Sequence, residues 1–478
     1  MPDHRRLPRS TPEDEGVSSH AILALMDELE ASSPELHSLM VLRHGTVVAE
    51  GWWAPFAADR VHQLFSLSKS FTSAAVGLAQ AEGLLTIDDL VLAHFRDEAP
   101  AEPGEHLAAL RVRDLLTMTT GHDADPSDTV FAAPDWVRAF LAQPIEHAPG
   151  THFTYNTAAT YVLSAMVQKV TGERLLDYLR PRLLEPLGIT DATWERSPQG
   201  IDTGGFGLSI TTEDIACFGQ LLLDDGVWGG QRLLPDGWVA EATAKQVPNG
   251  TEPADEWAQG YGYQFWQCTH DAYRADGAFG QLCVVLPAQS VVVAITAAVA
   301  DTRFVLRCLW KHLLPGIADR PESPDPAAVD ALRARLTGLR LDPPAGESTS
   351  AAAARVSGRT ISFESNPSGI TSAMLDAGPD HDTVTLVAGS RTTTVEAGHG
   401  TWLPGWVSPP GRPGTFSVLS SGGWSAPDTY VLTVRESDGP LVLTATATVT
   451  GDDVAVRSRF HVSFGPTEQA PLTGRLSA

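Results

Sequence analysis

The run Leu64-Phe65-Ser66-Leu67-Ser68-Lys69-Ser70-Phe71-Thr72-Ser73, continuing as Ala74-Ala75-Val76-Gly77-Leu78-Ala79, organises the rest of the chain. It reads as the first turn of a helix that enters a core. Small and apolar residues follow without a proline, and Gly77 sits deep inside the pattern. Helix positions three apart share one face, so the Ser66 hydroxyl and the Lys69 amine stack one turn apart. A serine there has two aids to activation. The helix dipole favours developing negative charge, and a desolvated lysine can take up the proton. Such pairs also arise on solvated helix surfaces. Of the lysines Lys69, Lys169, Lys245 and Lys311, however, only Lys69 has a serine three residues before it.

At 478 residues the chain exceeds one ordinary core, and two or three domains are expected. Its 33 basic and 58 acidic residues give a formal charge of −25, which repels phosphate backbones and anionic lipid. Nucleic-acid and membrane partners are therefore not expected. No apolar run is long enough to span a bilayer, and Met1-Pro2-Asp3-His4-Arg5-Arg6 lacks an apolar signal core, so a cytoplasmic location is expected. Cys217, Cys268, Cys283 and Cys308 show no CxxC spacing and read as reduced core residues. The 15 histidines show no ligand spacing, and neither metal nor cofactor is expected.

Outward from the central run, residues 1–18 read as an arm and His20 to Leu29 as an amphipathic helix. Ser38 to Arg43 and Thr46 to Glu50 flank His44-Gly45, a hairpin signature. Helical segments then dominate as far as Asp224, one of them entered through Phe153-Thr154-Tyr155-Asn156-Thr157. Strands return at Tyr261 to Trp266, Tyr273 to Leu286 and Ser290 to Thr296, and a helix from Arg303 to Leu314 follows. Strands at both ends with helices between predict an α+β fold, in which one antiparallel sheet built from both ends is backed by helices. Residues 1–318 form this domain. Residues 319–355, rich in Pro and Ala with a short helical stretch from Ala328 to Leu336, read as a linker. Residues 356–478 read as an all-β barrel or sandwich.

The phrases Arg43-His44-Gly45, Phe65 to Ser73, Asp114 to Gly121, Phe153 to Asn156, Gly207-Leu208 and Gly277-Ala278-Phe279-Gly280-Gln281 fall in a recognisable order. Across residues 10 to 315 the chain resembles the superfamily of serine β-lactamases, penicillin-binding proteins and esterases. The resemblance is greatest to its class C-like branch, with short-chain esterases, D-aminopeptidases and 6-aminohexanoate-dimer hydrolases. It implies a β-lactamase-like fold with an all-helical subdomain. It also implies that Ser66 attacks an acyl carbon, that Tyr155 and Lys69 handle the proton, and that the backbone amides of Ser66 and Ala278 hold the oxyanion. A phenol beside an ammonium is stabilised as phenolate, which makes Tyr155 a candidate base, with Lys69 the other.

Two departures from the family pattern bear on substrate. Where the superfamily often carries Lys-Thr-Gly or His-Thr-Gly, this chain reads Ala275-Asp276-Gly277, so the cation that meets a β-lactam carboxylate is absent. Asp276 would suit a neutral or amine-bearing substrate, or else points into the core. In the Tyr-x-Asn motif Thr157 takes the Asn place and Asn156 the middle one. Asn156, Thr157, Asp276 and Gly277 are the expected substrate contacts. The expected activity is a metal-independent serine hydrolase acting through an acyl-enzyme on a small ester or amide. The alternatives are a β-lactamase, a D-amino-acid peptidase, or a penicillin-recognising sensor without turnover. Gly-x-Ser-x-Gly, His-Glu-x-x-His and P-loop patterns are absent. Trp52, Trp53, Trp136, Trp257 and Trp266 are candidates for an apolar acyl wall, with core packing as the default reading.

Overall fold

A computed structural model of the chain describes residues 7–32, 35–410, 412 and 414–477. The expectation for Met1 to Arg6 lies outside the described residues. The chain divides into two compact units. The first comprises the chain through Trp52, Ala58–Ala297 and Asp301–Gly338.

Its sheet has six antiparallel strands: β1 (Glu35–Arg43), β2 (Thr46–Trp52), β3 (Trp266–Gln267), β4 (Tyr273–Gly277), β5 (Gln281–Leu286) and β6 (Val291–Ala298). They lie in the order β2-β1-β6-β5-β4-β3, so strands from both ends of this unit share one sheet, as the sequence predicts. His44 and Gly45 both have positive φ, 51° and 76°, the backbone that a tight hairpin between Arg43 and Thr46 requires. Strand β6 is buried along its whole length, which is why Val291 to Ala298 reads as a continuous apolar run. All four cysteines are buried, in keeping with core residues.

The central run folds as a 3₁₀ turn at Phe65–Leu67 followed by helix α1 (Ser68–Ala81). Every residue of α1 from Ser68 to Ala79 is buried, so even its serines and threonines face protein. Ser68 Oγ donates to Phe65 O at 2.6 Å, Ser70 Oγ to Gln264 O at 2.7 Å and Thr72 Oγ1 to Gly204 O at 2.8 Å. These bonds satisfy polar groups that burial would otherwise penalise.

Gly77 has a packing reason. A Cβ there would lie 2.5 Å from the Trp238 ring. Glycine in a helix interior usually costs about 1 kcal/mol against alanine. Gly77→Ala is nonetheless expected to lose roughly 1–3 kcal/mol, because the overpacked ring must move. Urea unfolding measures this, and a gain in stability would contradict the packing argument.

The second unit comprises Trp53–Ala57, Ala298–Ala300 and Leu339–Ala478. Ten strands form one sheet there: β7 (Thr360–Phe363), β8 (Ile370–Ala377), β9 (His381–Ala388), β10 (Arg391–Gly398), β11 (Leu403–Val407), β12 (Phe416–Ala426), β13 (Thr429–Glu436), β14 (Val442–Thr450), β15 (Asp453–Phe460) and β16 (Leu472–Leu476). The order is β10-β9-β8-β7-β16-β15-β14-β13-β12-β11. A parallel pairing of Gly398 with Ser421 joins β10 to β12, closing a nine-strand barrel with β11 outside the ring. Of the two forms expected, barrel or sandwich, the structure takes the barrel.

Within the stretch read as a linker, the expected helix is present. Helix α2 (Pro326–Thr337) buries Ala328 and Leu332 and belongs to the first unit, and the division between units falls at Gly338 and Leu339. Ala353–Val356 is a short helix that buries Ala353 and Val356 in the second unit.

Candidate active site

Three segments meet at the start of α1. The first is the turn itself. Phe65 has φ 49°, a left-handed conformation unfavourable for a bulky residue, and the next residue is Ser66. Lys69 is 1% exposed, and its Nζ donates to three oxygens: Ser66 Oγ at 2.9 Å, Thr157 Oγ1 at 3.2 Å and Gly205 O at 2.7 Å. Burial pulls the ammonium down to about 7, with Asp125 pulling weakly the other way. Near neutrality a substantial fraction of Lys69 is therefore the free amine, held against the Ser66 hydroxyl.

The second segment precedes helix α3 (Thr157–Thr171). Tyr155 hydrogen-bonds Ser66, and the Lys69 Nζ lies 4.8 Å from its ring centroid. Its ring stacks on Trp266 at 5.3 Å and meets Tyr261 edge-on at 6.2 Å. The sequence suggests that a neighbouring cation lowers this phenol. Here burial dominates and pushes it well above the ordinary tyrosine value, opposed by the Ser66 hydrogen bond and assisted by Asp276 and Asp125. The resting pair is accordingly a protonated Tyr155 and a titratable Lys69.

Asn156 and Thr157 part company. Asn156, expected to contact substrate, is fully buried and caps α3: its Oδ1 accepts from Ala159 N at 2.9 Å, while its Nδ2 donates to Thr120 Oγ1 at 3.2 Å. The Thr120 hydroxyl in turn bonds His122 Nδ1 at 2.8 Å. Thr157 occupies the position beside Lys69.

The third segment is β4 and the turn beyond it. Gly277 packs so closely on the turn before Ser66 that a Cβ would lie 2.0 Å from Leu64 O. Any larger residue would push this strand end away from Ser66. Ala278 is held by Gln281, whose Nε2 donates to Ala278 O at 3.0 Å and to Ala297 O at 2.8 Å. Phe65 and Phe279 meet edge to face at 5.5 Å, a further brace across the same gap.

Asp276 is already engaged. It accepts from Arg274 Nε at 2.7 Å, and both side chains are buried. Strand residues two apart share a face, so this pair was legible in the spacing. The Arg274 guanidinium also lies over Trp257 at 4.7 Å and Trp266 at 5.7 Å. Of the candidate wall residues, Trp257 and Trp266 adjoin Tyr155 and Phe153, whereas Trp136 packs on Phe131 and Tyr161 in the core.

Sequence reasoning missed three participants. Gly205 supplies a carbonyl to Lys69, Asp125 accepts from Thr157 N at 3.2 Å at the mouth of α3, and Gln281 positions Ala278. The Gly204-Gly205 doublet was the only local sign of the first. Sequence spacing also hid a potential ligand set, since Asp123, His147 and His152 bring one ligand atom each within 4.8 Å of one another. His147 Nε2 and Asp123 Oδ1 already hydrogen-bond at 2.6 Å, and the group is largely exposed.

A sheet gathered from both ends of the first unit, packed with helices, is the architecture of the fold shared by β-lactamases and penicillin-binding proteins. The family profile described as Beta-lactamase matches residues 34–308, and the chain belongs to that family. It is 28% identical over 263 residues to the 6-aminohexanoate-dimer hydrolase of Paenarthrobacter ureafaciens, covering 49% of this chain and 64% of that protein. It is 28% identical over 162 residues to the lovastatin esterase of Penicillium rubens, covering 29% and 40%. The chain thus spans less than two thirds of the length of either relative. Among solved structures, the putative 6-aminohexanoate-dimer hydrolase from Bacillus anthracis matches with TM-score 0.55 at 18% identity, over 65% of this chain and 86% of that one. The octameric penicillin-binding protein homologue from Pyrococcus abyssi matches with TM-score 0.51 at 15% identity, over 95% and 99%. At these identities the structural likeness concerns the fold alone. Among the described residues, no helix is long and apolar enough to cross a membrane.

Proposed function

We propose that this protein is a serine hydrolase that forms an acyl-enzyme on Ser66 with a small ester or amide substrate. The observation that carries the reading is the buried Lys69 amine 2.9 Å from Ser66 Oγ, with the amine pulled down to about 7. In the first step Ser66 Oγ bonds to the acyl carbon while its proton passes to the free amine of Lys69, directly or through the Tyr155 hydroxyl. The oxyanion is received by the amides of Ser66 and Ala278, and each such donor is worth on the order of a hundredfold in rate. The proton then passes to the departing oxygen or nitrogen, and Tyr155, protonated and bonded to Ser66, is the group placed to deliver it. Water repeats the sequence and releases the acid.

Two relatives are named as a hydrolase of 6-aminohexanoate dimer and an esterase of lovastatin, which supports a small-molecule acyl substrate for this chain. Residue 275 is alanine and Asp276 is neutralised by Arg274, so the strand offers neither the motif cation nor a free carboxylate. That favours uncharged ends on the substrate over a β-lactam carboxylate.

A panel of p-nitrophenyl acetate and butyrate, ω-amino amides, D-amino-acid amides and nitrocefin tests the reading. Ester or amide turnover is expected to exceed nitrocefin turnover by at least tenfold in kcat/KM. Nitrocefin as the preferred substrate would restore the β-lactamase alternative. A stable adduct on Ser66 without release would restore the sensor alternative.

A further inference from the structure

Two segments beside the candidate site run together and are tied through their backbones. His147 N donates to Gly121 O at 2.9 Å, Gly150 N to Thr119 O at 2.8 Å and Thr154 N to Met118 O at 2.9 Å. Asp123 N donates to Glu146 Oε2 at 3.1 Å, and Thr154 Oγ1 to His122 O at 2.7 Å. Asp123 stands on the first segment, His147 and His152 on the second. The fold therefore fixes their main chains. Their side chains keep room to turn, since Asp123 is exposed and both histidines are half-buried.

One ligand atom from each of these three residues lies within 4.8 Å of the other two. The two imidazoles stack with centroids 4.3 Å apart and planes 28° apart. A zinc ion with bonds of about 2.1 Å in tetrahedral geometry sets its donors about 3.4 Å apart. Side-chain rotation covers the difference. The 2.6 Å bond between His147 Nε2 and Asp123 Oδ1 competes weakly, because those side chains are 42% and 66% exposed and water screens them. A neutral imidazole can carry its proton on Nδ1, and Nε2 and the carboxylate then both face a cation. Glu146 adds negative charge beside Asp123, within a chain of formal charge −25. Two imidazoles with one carboxylate suit first-row transition metals, whereas Mg²⁺ and Ca²⁺ take oxygen ligands.

We propose that Asp123, His147 and His152 form a binding site for one divalent first-row transition-metal ion such as Zn²⁺, with water completing its coordination. The ion clips the two segments together where they enter the candidate active site. Asp125, two residues after Asp123, accepts from Thr157 N at 3.2 Å, and Tyr155 follows His152 by three residues. The metal site takes no part in Ser66 chemistry, and its existence does not depend on the function proposed above.

The experiment uses the untagged full chain, stripped with EDTA and titrated with ZnCl₂ or MgCl₂ by isothermal calorimetry, with CoCl₂ followed by visible absorption. The expected result is one Zn²⁺ per chain with micromolar or tighter affinity, d–d bands from Co²⁺, and no binding of Mg²⁺ at millimolar concentration. His147→Ala and, separately, His152→Ala are expected to weaken Zn²⁺ binding at least tenfold. His20→Ala, which removes an exposed imidazole outside the cluster, is expected to leave it unchanged. Thermal melts without metal verify that each variant is folded. Zn²⁺ is expected to raise the melting temperature of the parent by a few degrees and that of the two cluster variants by less. Zinc affinity no better than millimolar, affinity unchanged in both folded cluster variants, or Mg²⁺ bound as tightly as Zn²⁺ would overturn the proposal.

Discussion

Ser66→Ala is expected to lower kcat for p-nitrophenyl butyrate by roughly a thousandfold or more while leaving the melting temperature within a few degrees of the parent. The size follows from the role: removing a nucleophile deletes the covalent route, and what remains is binding and oxyanion stabilisation. The small stability effect follows from the surroundings. The Ser66 hydroxyl contacts Lys69 and Tyr155 but is not part of the bond network that seats α1, which rests on Ser68, Ser70 and Thr72. Losing Ser66 leaves Lys69 with Thr157 and Gly205 as acceptors. Turnover at the parent rate in a folded Ser66→Ala protein would remove Ser66 from the chemistry altogether.

The second large effect concerns pH. The free amine of Lys69 is the form able to receive a proton, and burial brings its titration to about 7. Below that value the group is charged and inactive as a base; above it the group is neutral and active. The acid limb of kcat/KM, which reports the free enzyme, is therefore expected to rise about tenfold per pH unit up to about 7 and then level off. Lys69→Arg, which stays protonated at every accessible pH, is expected to lose at least a hundredfold and to abolish that limb. Tyr155→Phe separates the two candidate bases. If Lys69 is the base, the variant is slower but keeps the limb near 7; if the limb vanishes with the phenol, Tyr155 is the base. A flat profile from pH 5 to 8 in the parent enzyme would contradict the role given to Lys69.

Much of this was legible because it depends on local pattern. The hairpin at His44-Gly45, the apolar strand Val291 to Ala298 and the Ser-x-x-Lys spacing are short-range signals that tertiary structure preserved. What remained hidden depends on distance. Gly205 and Asp125 act through positions that only folding brings to Lys69 and Thr157, and no spacing rule reaches them. Some signals were present but weighed otherwise. Asn156 immediately before a helix is a cap by residue type, and its buried amide bonds Ala159 N and Thr120. The helix read at Ala328 to Leu336 begins two residues earlier, where Asp325 before Pro326 marks its start. The electrostatics of Tyr155 illustrate a different limit. A neighbouring cation is visible in sequence, but the aromatic shell of Trp266 and Tyr261 that desolvates the phenol is not.

The sheet order has a consequence for how the first unit forms on the ribosome. Strand β6 is the last of the six to be synthesised, yet it stands between β1 and β5 in the middle of the sheet. Until it docks, β4 and β5 have no edge to join, and Ala278 has no fixed place beside Ser66. Ser66 and the helix that follows it are thus made long before the strand that completes the sheet beside them. On the function proposed above, a half-finished nascent chain carries Ser66 and Lys69 without the strand that bears Ala278 in place, and hydrolytic competence is expected to appear abruptly once residue 298 has emerged and folded.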